Sequence, residues 1–143
     1  MANDVATREA PMQLALASSG DMRFTPGRRP EIKYRDLGVK DATNGRMRAE
    51  VMHVNAASPA KPTGWHYHEC EIQFLYMLKG WVDLEFGDRG VIRLQAGDSL
   101  MIPGGTVHQE ISASENMELL EVSVPAQLGT VNCPPPANSA ARS

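Results

Sequence analysis

Glycine and proline interrupt this chain at such short intervals that no long helix fits between them. Pro26/Gly27, Gly38, Asn44/Gly45, Pro59 to Gly64, Gly80, Gly87 to Gly90, Gly97/Asp98 and Pro103 to Gly105 leave segments of strand length. Both residue types end or weaken helices, proline by removing a donor and glycine by loosening the backbone. Between the breaks the residues alternate. Val82, Leu84 and Phe86 share one side of an extended segment and Asp83 and Glu85 the other; Leu120, Val122 and Val124 oppose Glu121 and Ser123 in the same way. A period of two is that of a strand. Gly87-Asp88-Arg89-Gly90 joins two such runs as a hairpin, and from Arg46 to Pro125 no stretch keeps a helical period. The sequence therefore predicts an all-β sandwich or barrel.

A chain of 143 residues holds one core, since two would each be too small. Residues 1–20 and the Pro-rich residues 129–143 have no period and read as flexible tails around a single domain at 21–128. A net charge of −3 supplies no basic field for phosphates, so nucleic acid is not an expected partner. Apolar runs stay well short of the roughly 18 residues of a membrane span, so no membrane partner is expected either. Ala15-Leu16-Ala17 imitates a signal-peptidase site, but Pro11 and Gln13 break the apolar stretch before it, and Asp4 and Glu9 make the start acidic. Two cysteines, Cys70 and Cys133, are too few for a disulfide framework. A cytoplasmic protein is expected.

The histidines number four, and His66 and His68 lie two apart. On a strand that spacing turns both rings to one face, which is half of a metal site, although the pair alone describes a polar strand edge equally well. Cys70 shares their parity if the strand runs straight, as a pocket thiol or as an inert small hydrophobe. Glu69 and Glu71 fall in the following turn, either solvated or orienting the site, while Trp65 and Tyr67 face the other side. Leu75 and Met77 have the parity of Gln73 and would form an apolar pocket wall, with Phe74 and Tyr76 facing away. His53 shares a face with Ala49 and Val51 and reads as a structural histidine.

Gly64-Trp65-His66-Tyr67-His68, then Gln73 and Gly80, precede the run from Gly97 through Pro103-Gly104-Gly105 to His108. Together these resemble the two conserved motifs of the cupin superfamily, and they cover Gly64 to His108, about a third of the chain. The resemblance implies a double-stranded β-helix, or jelly-roll barrel, with one divalent transition metal ion at its mouth held by His66, His68, Gln73 and His108. Two positions depart from the pattern: Gln73 stands where cupins usually carry Glu, and Ser112 replaces the last Asn of the second motif. Three neutral imidazoles and an amide leave the ion's charge uncompensated, so it is held less tightly but polarises an incoming oxygen more. On that basis Gln73→Glu is expected to tighten metal binding.

Mixed N/O ligation suits Fe, Mn, Ni, Co, Cu or Zn. Enolates, diketones, carboxylates and catechol-like diols are the ligands such a site favours. The resemblance thus implies a metal-dependent enzyme on a small oxygen-bearing molecule: a dioxygenase, isomerase or lyase with an enolisable substrate. A non-catalytic module that binds or senses a small ligand is the alternative, and a barrel that has lost its metal is a third. Open sheet edges and an apolar outer face including Trp65, Phe74 and Tyr76 would pair a small barrel into a homodimer.

Overall fold

The computed structural model describes residues 10–27, 29–55 and 62–137. In chain order these residues form β1 (Thr25–Pro26), β2 (Ile32–Asp36), the one-turn helix α1 (Val39–Ala42), β3 (Arg48–Val54), β4 (His66–His68), β5 (Ile72–Lys79), β6 (Trp81–Phe86), β7 (Gly90–Gln95), β8 (Ser99–Pro103), β9 (His108–Ala113), β10 (Glu118–Val124) and β11 (Thr130–Asn132). One sheet runs β1-β2-β3-β10-β5-β8 and the other β11-β4-β9-β6-β7, with antiparallel neighbours throughout. The protein is a double-stranded β-helix: its all-β character is what the punctuation and alternation predict, and the type of barrel is the one the cupin resemblance implies.

Leu75 and Met77 from one sheet and Val82, Leu84 and Phe86 from the other meet in the core, so the predicted faces of β5 and β6 point inward. Glycine-flanked residues 87–89 turn β6 into β7, pairing Phe86 with Gly90. In β10 the alternation also holds, but the side with more apolar residues is the outer one. Leu119 and Ser123 are buried and Glu121 lines the interior cavity, whereas Leu120, Val122 and Val124 are only half-buried. A barrel that encloses a polar cavity places its charged residues on the inner face, so hydrophobicity alone does not mark that face.

The Pro-rich tail expected from residue 129 begins later. Thr130–Asn132 pairs with His66–His68, and the Cys133 amide donates to the Trp65 carbonyl at 3.0 Å. The free edge of β4 would otherwise expose its backbone donors and acceptors, and this strand satisfies them. At the other end, Gln13 donates its amide to Ala42 and Asn44 donates its side-chain amide to Pro11, both at 2.9 Å, while Leu14 and Leu16 remain exposed. Residues 1–9 of the expected N-terminal tail lie outside the described residues. Trp65 is buried within the single chain and contributes nothing to an exposed apolar face. That outer surface carries Ile72, Tyr76, Leu78 and Met101 instead.

Gly104 sits where two turns close on each other. Its amide donates to the Glu71 carbonyl at 3.0 Å, the Gly105 amide donates to the His68 carbonyl at 2.8 Å, and a Cβ at position 104 would collide with the Cys70 carbonyl. Backbone cannot yield as a flexible side chain would, so Gly104→Ala is expected to cost about 3 kcal/mol. Urea unfolding measures it, and a loss below about 1 kcal/mol would contradict the packing described.

On the second sheet, Arg93 reaches both oxygens of Asp83 at 2.8 and 2.9 Å and lies 3.8 Å over the Trp81 ring. The Arg93 hydrogen bonds hold the Asp83 carboxyl below its ordinary 3.8, burial opposing and the Ser112 hydroxyl assisting. A carboxyl lowered by folding stabilises the fold above its unfolded pKa, and that stability fades as pH falls through the folded one. Asp83→Asn is therefore expected to unfold at slightly lower urea than wild type at pH 7, with the gap closing well below pH 3.8.

Candidate metal centre

β4 and β9 are neighbours, and their register sets His66 opposite His108. Strand parity turns His66 and His68 to the same inner face, with Tyr67 between them turned away, and all three histidines are buried. Their ring centroids lie 5.0, 4.6 and 5.2 Å apart, and one ring nitrogen from each lies within 4.8 Å of the others. Bonds of about 2.0–2.1 Å need the nitrogens within about 4.2 Å of one another, so the three rings converge on one site that a small inward adjustment closes around an ion.

The protonation of the rings is set by their anchors. His66 Nδ1 is 2.7 Å from the Gly64 carbonyl and His108 Nδ1 is 2.9 Å from the Thr106 carbonyl. A carbonyl only accepts, so Nδ1 carries the hydrogen in both rings and a neutral ring presents the Nε2 lone pair. The Thr130 hydroxyl, brought in by β11, lies 3.0 Å from His68 Nδ1. Burial pushes His108 below the ordinary histidine range, partly opposed by the Thr106 carbonyl and Glu110 and reinforced by His66. Its Nε2 is buried without a hydrogen-bond partner among the described residues, in a side chain that is 0% exposed. An unpartnered acceptor there is costly unless a cation meets it.

Gln73 approaches from β5 in the opposite sheet and lines the same cavity, a space of about 400 Å³. Its Nε2 donates to Glu121 Oε2 at 2.9 Å, and its Oε1 is buried with no partner among the described residues. The cavity thus gathers His66, His68 and Gln73, the His108 ring packs against both histidines, and His108 and Gln73 each keep a buried lone pair with no partner among the described residues.

Glu110 also belongs here. Its Oε2 lies 3.7 Å from His66 Nε2 and accepts from the Thr63 hydroxyl at 2.7 Å. Burial pushes this carboxyl up, but His66, the Thr63 hydroxyl and His108 together hold it below the ordinary range. Two positions beyond His108 on a strand, Glu110 has the parity of that histidine, a signal from which it was readable. Beyond Gln73, Glu121 Oε1 accepts from Arg48 Nη2 at 3.1 Å, and Arg48 Nη1 lies 3.5 Å from Glu50. Arg48, Glu50 and Glu121 line the cavity too.

Other candidates fall outside it. β4 ends at His68, so the straight-strand parity assigned to Cys70 fails; its thiol is buried, pushed up mainly by that burial, and does not line the cavity. Cys70 and Cys133 are both free, and Glu69 and Glu71 are exposed. His53 faces away, 3.1 Å from Glu118 and edge-on to Phe24, as a structural histidine does. Ser112 donates to Asp83 at 3.2 Å.

The curated protein YdbB of Bacillus subtilis (strain 168), itself uncharacterized, is 36% identical over 55 residues, which are 38% of this chain and 49% of YdbB. The chain therefore spans about half the length of the curated relative it matches. Among solved structures, the polyketide cyclase RemF of Streptomyces resistomycificus superposes with a TM-score of 0.66 at 20% identity, covering 92% of this chain and 94% of RemF. KdgF of Halomonas sp. superposes with a TM-score of 0.65 at 16% identity, covering 80% of this chain and 96% of KdgF. Identities this low speak for fold alone. The cupin domain model matches residues 51–123, a span that contains both histidine strands and Gln73, and with the two-sheet topology it settles the relationship: the chain belongs to the cupin family.

Proposed function

We propose that this protein is a metal-dependent enzyme in which His66, His68, His108 and Gln73 hold one divalent transition ion and the cavity beside it binds a small, enolisable, oxygen-bearing molecule. The observation that carries this reading is the convergence of three buried imidazoles, two of them locked by backbone carbonyls with Nε2 as the lone-pair nitrogen. Such an ion supplies Lewis acidity toward a carbonyl oxygen. The chain supplies the rest. Leu75, Leu84 and Leu119 wall the cavity and limit water, and Glu110 Oε2, fixed by Thr63, is an acceptor beside His66 for a proton leaving the substrate. Moving a proton without an outside oxidant fits an isomerase or lyase better than a dioxygenase.

Elemental analysis of protein purified without a chelating tag tests the metal, with about one ion per chain expected. Exchange of substrate C–H for deuterium, followed by NMR across a panel of diketones and enols, tests the chemistry. Occupancy below about a tenth of an ion per chain after loading with each of the six metals overturns the reading. Tight binding of panel members without exchange or turnover replaces it with a non-catalytic binding module.

A further inference from the structure

We infer that Glu121, held in place by Arg48, is a positioning residue that fixes which end of the Gln73 amide faces the three histidines and lends that end its negative charge. The inference rests on the metal-binding reading above.

Gln73 pairs with Ser123 and Leu75 with Glu121, so Gln73 and Glu121 are diagonal neighbours on one face of β5 and β10. Across the next strand pair, Glu50 stands directly opposite Glu121, and Arg48 lies diagonal to it. The hydrogen bonds then run in one direction. Arg48 Nη2 donates to Glu121 Oε1 at 3.1 Å, and Gln73 Nε2 donates to Glu121 Oε2 at 2.9 Å. A carboxylate only accepts, so reversing the amide would set oxygen against oxygen. Glu121 therefore admits a single amide orientation, and the oxygen is left buried and unpartnered inside the cavity.

The same contact adjusts charge. Donation from the NH₂ group to a carboxylate draws the amide toward its form with a C–N double bond and a more negative oxygen. Glu121, paired with Arg48, stands one amide away from the histidines, so its negative charge acts on them through Gln73. The charge lost where Gln stands in place of Glu is thus returned at one remove.

Three variants separate orientation from mere support, with Co(II) as the probe, affinity read by chelator competition and geometry by the d–d absorption band. In Glu121→Gln, Arg48 takes the new amide's oxygen, so its NH₂ turns to Gln73 and forces that amide to reverse, presenting NH₂ to the ion. Affinity should fall about tenfold or more, with a shifted band. Glu121→Ala frees the amide without reversing it and should fall less, although it deletes more of the side chain. The exchange Gln73→Glu with Glu121→Gln keeps the Arg48 bond and reverses the second, the new amide at 121 donating to the new carboxylate at 73, so an oxygen still faces the ion and binding should be at least as tight as wild type.

Glu121→Gln binding within about twofold of wild type with an unchanged band, or Glu121→Ala falling further than Glu121→Gln, overturns the inference. Should Glu121→Gln fail to fold by circular dichroism, the exchanged pair decides alone, and weaker binding than wild type overturns it. Failure of the metal reading shows separately: His108→Ala would then bind Co(II) as wild type does, and both claims would fall together.

Discussion

His108→Ala is expected to lose metal affinity by more than the roughly 100-fold that marks removal of a residue merely orienting a ligand. The side chain is 0% exposed, its Nδ1 is committed to the Thr106 carbonyl, and its Nε2 has no partner among the described residues. No other imidazole can take its place, because the register of β4 and β9 gives one opposite pair, His66 and His108. The same site links metal to stability. An ion that binds the folded chain alone stabilises it by about 2.7 kcal/mol at a hundredfold excess over Kd, so chelation should lower the Tm of wild type by several degrees. His108→Ala should show no such response to chelator, and its Tm should lie near that of stripped wild type or below it. Differential scanning fluorimetry with and without chelator measures both. An equal chelator response in the two proteins would remove His108 from the metal centre.

Where function depends on spacing within one or two strands, the residues announce it. His66 and His68 show their common face by a separation of two, the glycine- and proline-marked run from Gly97 to Gly105 leads to His108, and the parity of Leu75 and Met77 with Gln73 correctly places them inside. Where function depends on which strands meet, local pattern runs out. Thr130 reaches His68 only because β11 returns to the edge of β4, and nothing in residues 129–132 encodes that pairing locally. Arg48, Glu50 and Glu121 are hidden for a different reason. They occupy the inner face of strands whose outer face carries Val51, Leu120 and Val122, so reading apolar as inward inverts those strands. Cys70 misleads in the opposite sense, because parity stops meaning anything once β4 ends at His68.

Gln73→Glu restores the usual cupin residue, and taken by itself the sequence predicts tighter metal binding through an added negative charge. The structure changes that expectation, because Glu121 Oε2 lies 2.9 Å from the Gln73 amide nitrogen. A glutamate at position 73 would set two buried carboxylates in contact, and such a pair retains a proton rather than ionise twice. With that proton the net charge equals that of wild type, so charge is moved toward the histidines and not added. Metal affinity near neutral pH should therefore rise less than an extra carboxylate would produce.

The metal-free variant should also acquire a pH dependence in addition to that of wild type. Its folded state holds a proton that the unfolded chain releases above about pH 4.3, so the unfolded state binds fewer protons and stability falls as pH rises. The slope reaches about 1.4 kcal/mol per pH unit and flattens once the pair loses its proton. Urea unfolding of chelator-treated Gln73→Glu between pH 5 and pH 8 measures it directly. Adding Glu121→Gln should abolish the extra slope, since one carboxylate then faces an amide donor. A Gln73→Glu profile parallel to wild type over that range would mean that the two side chains are not in contact.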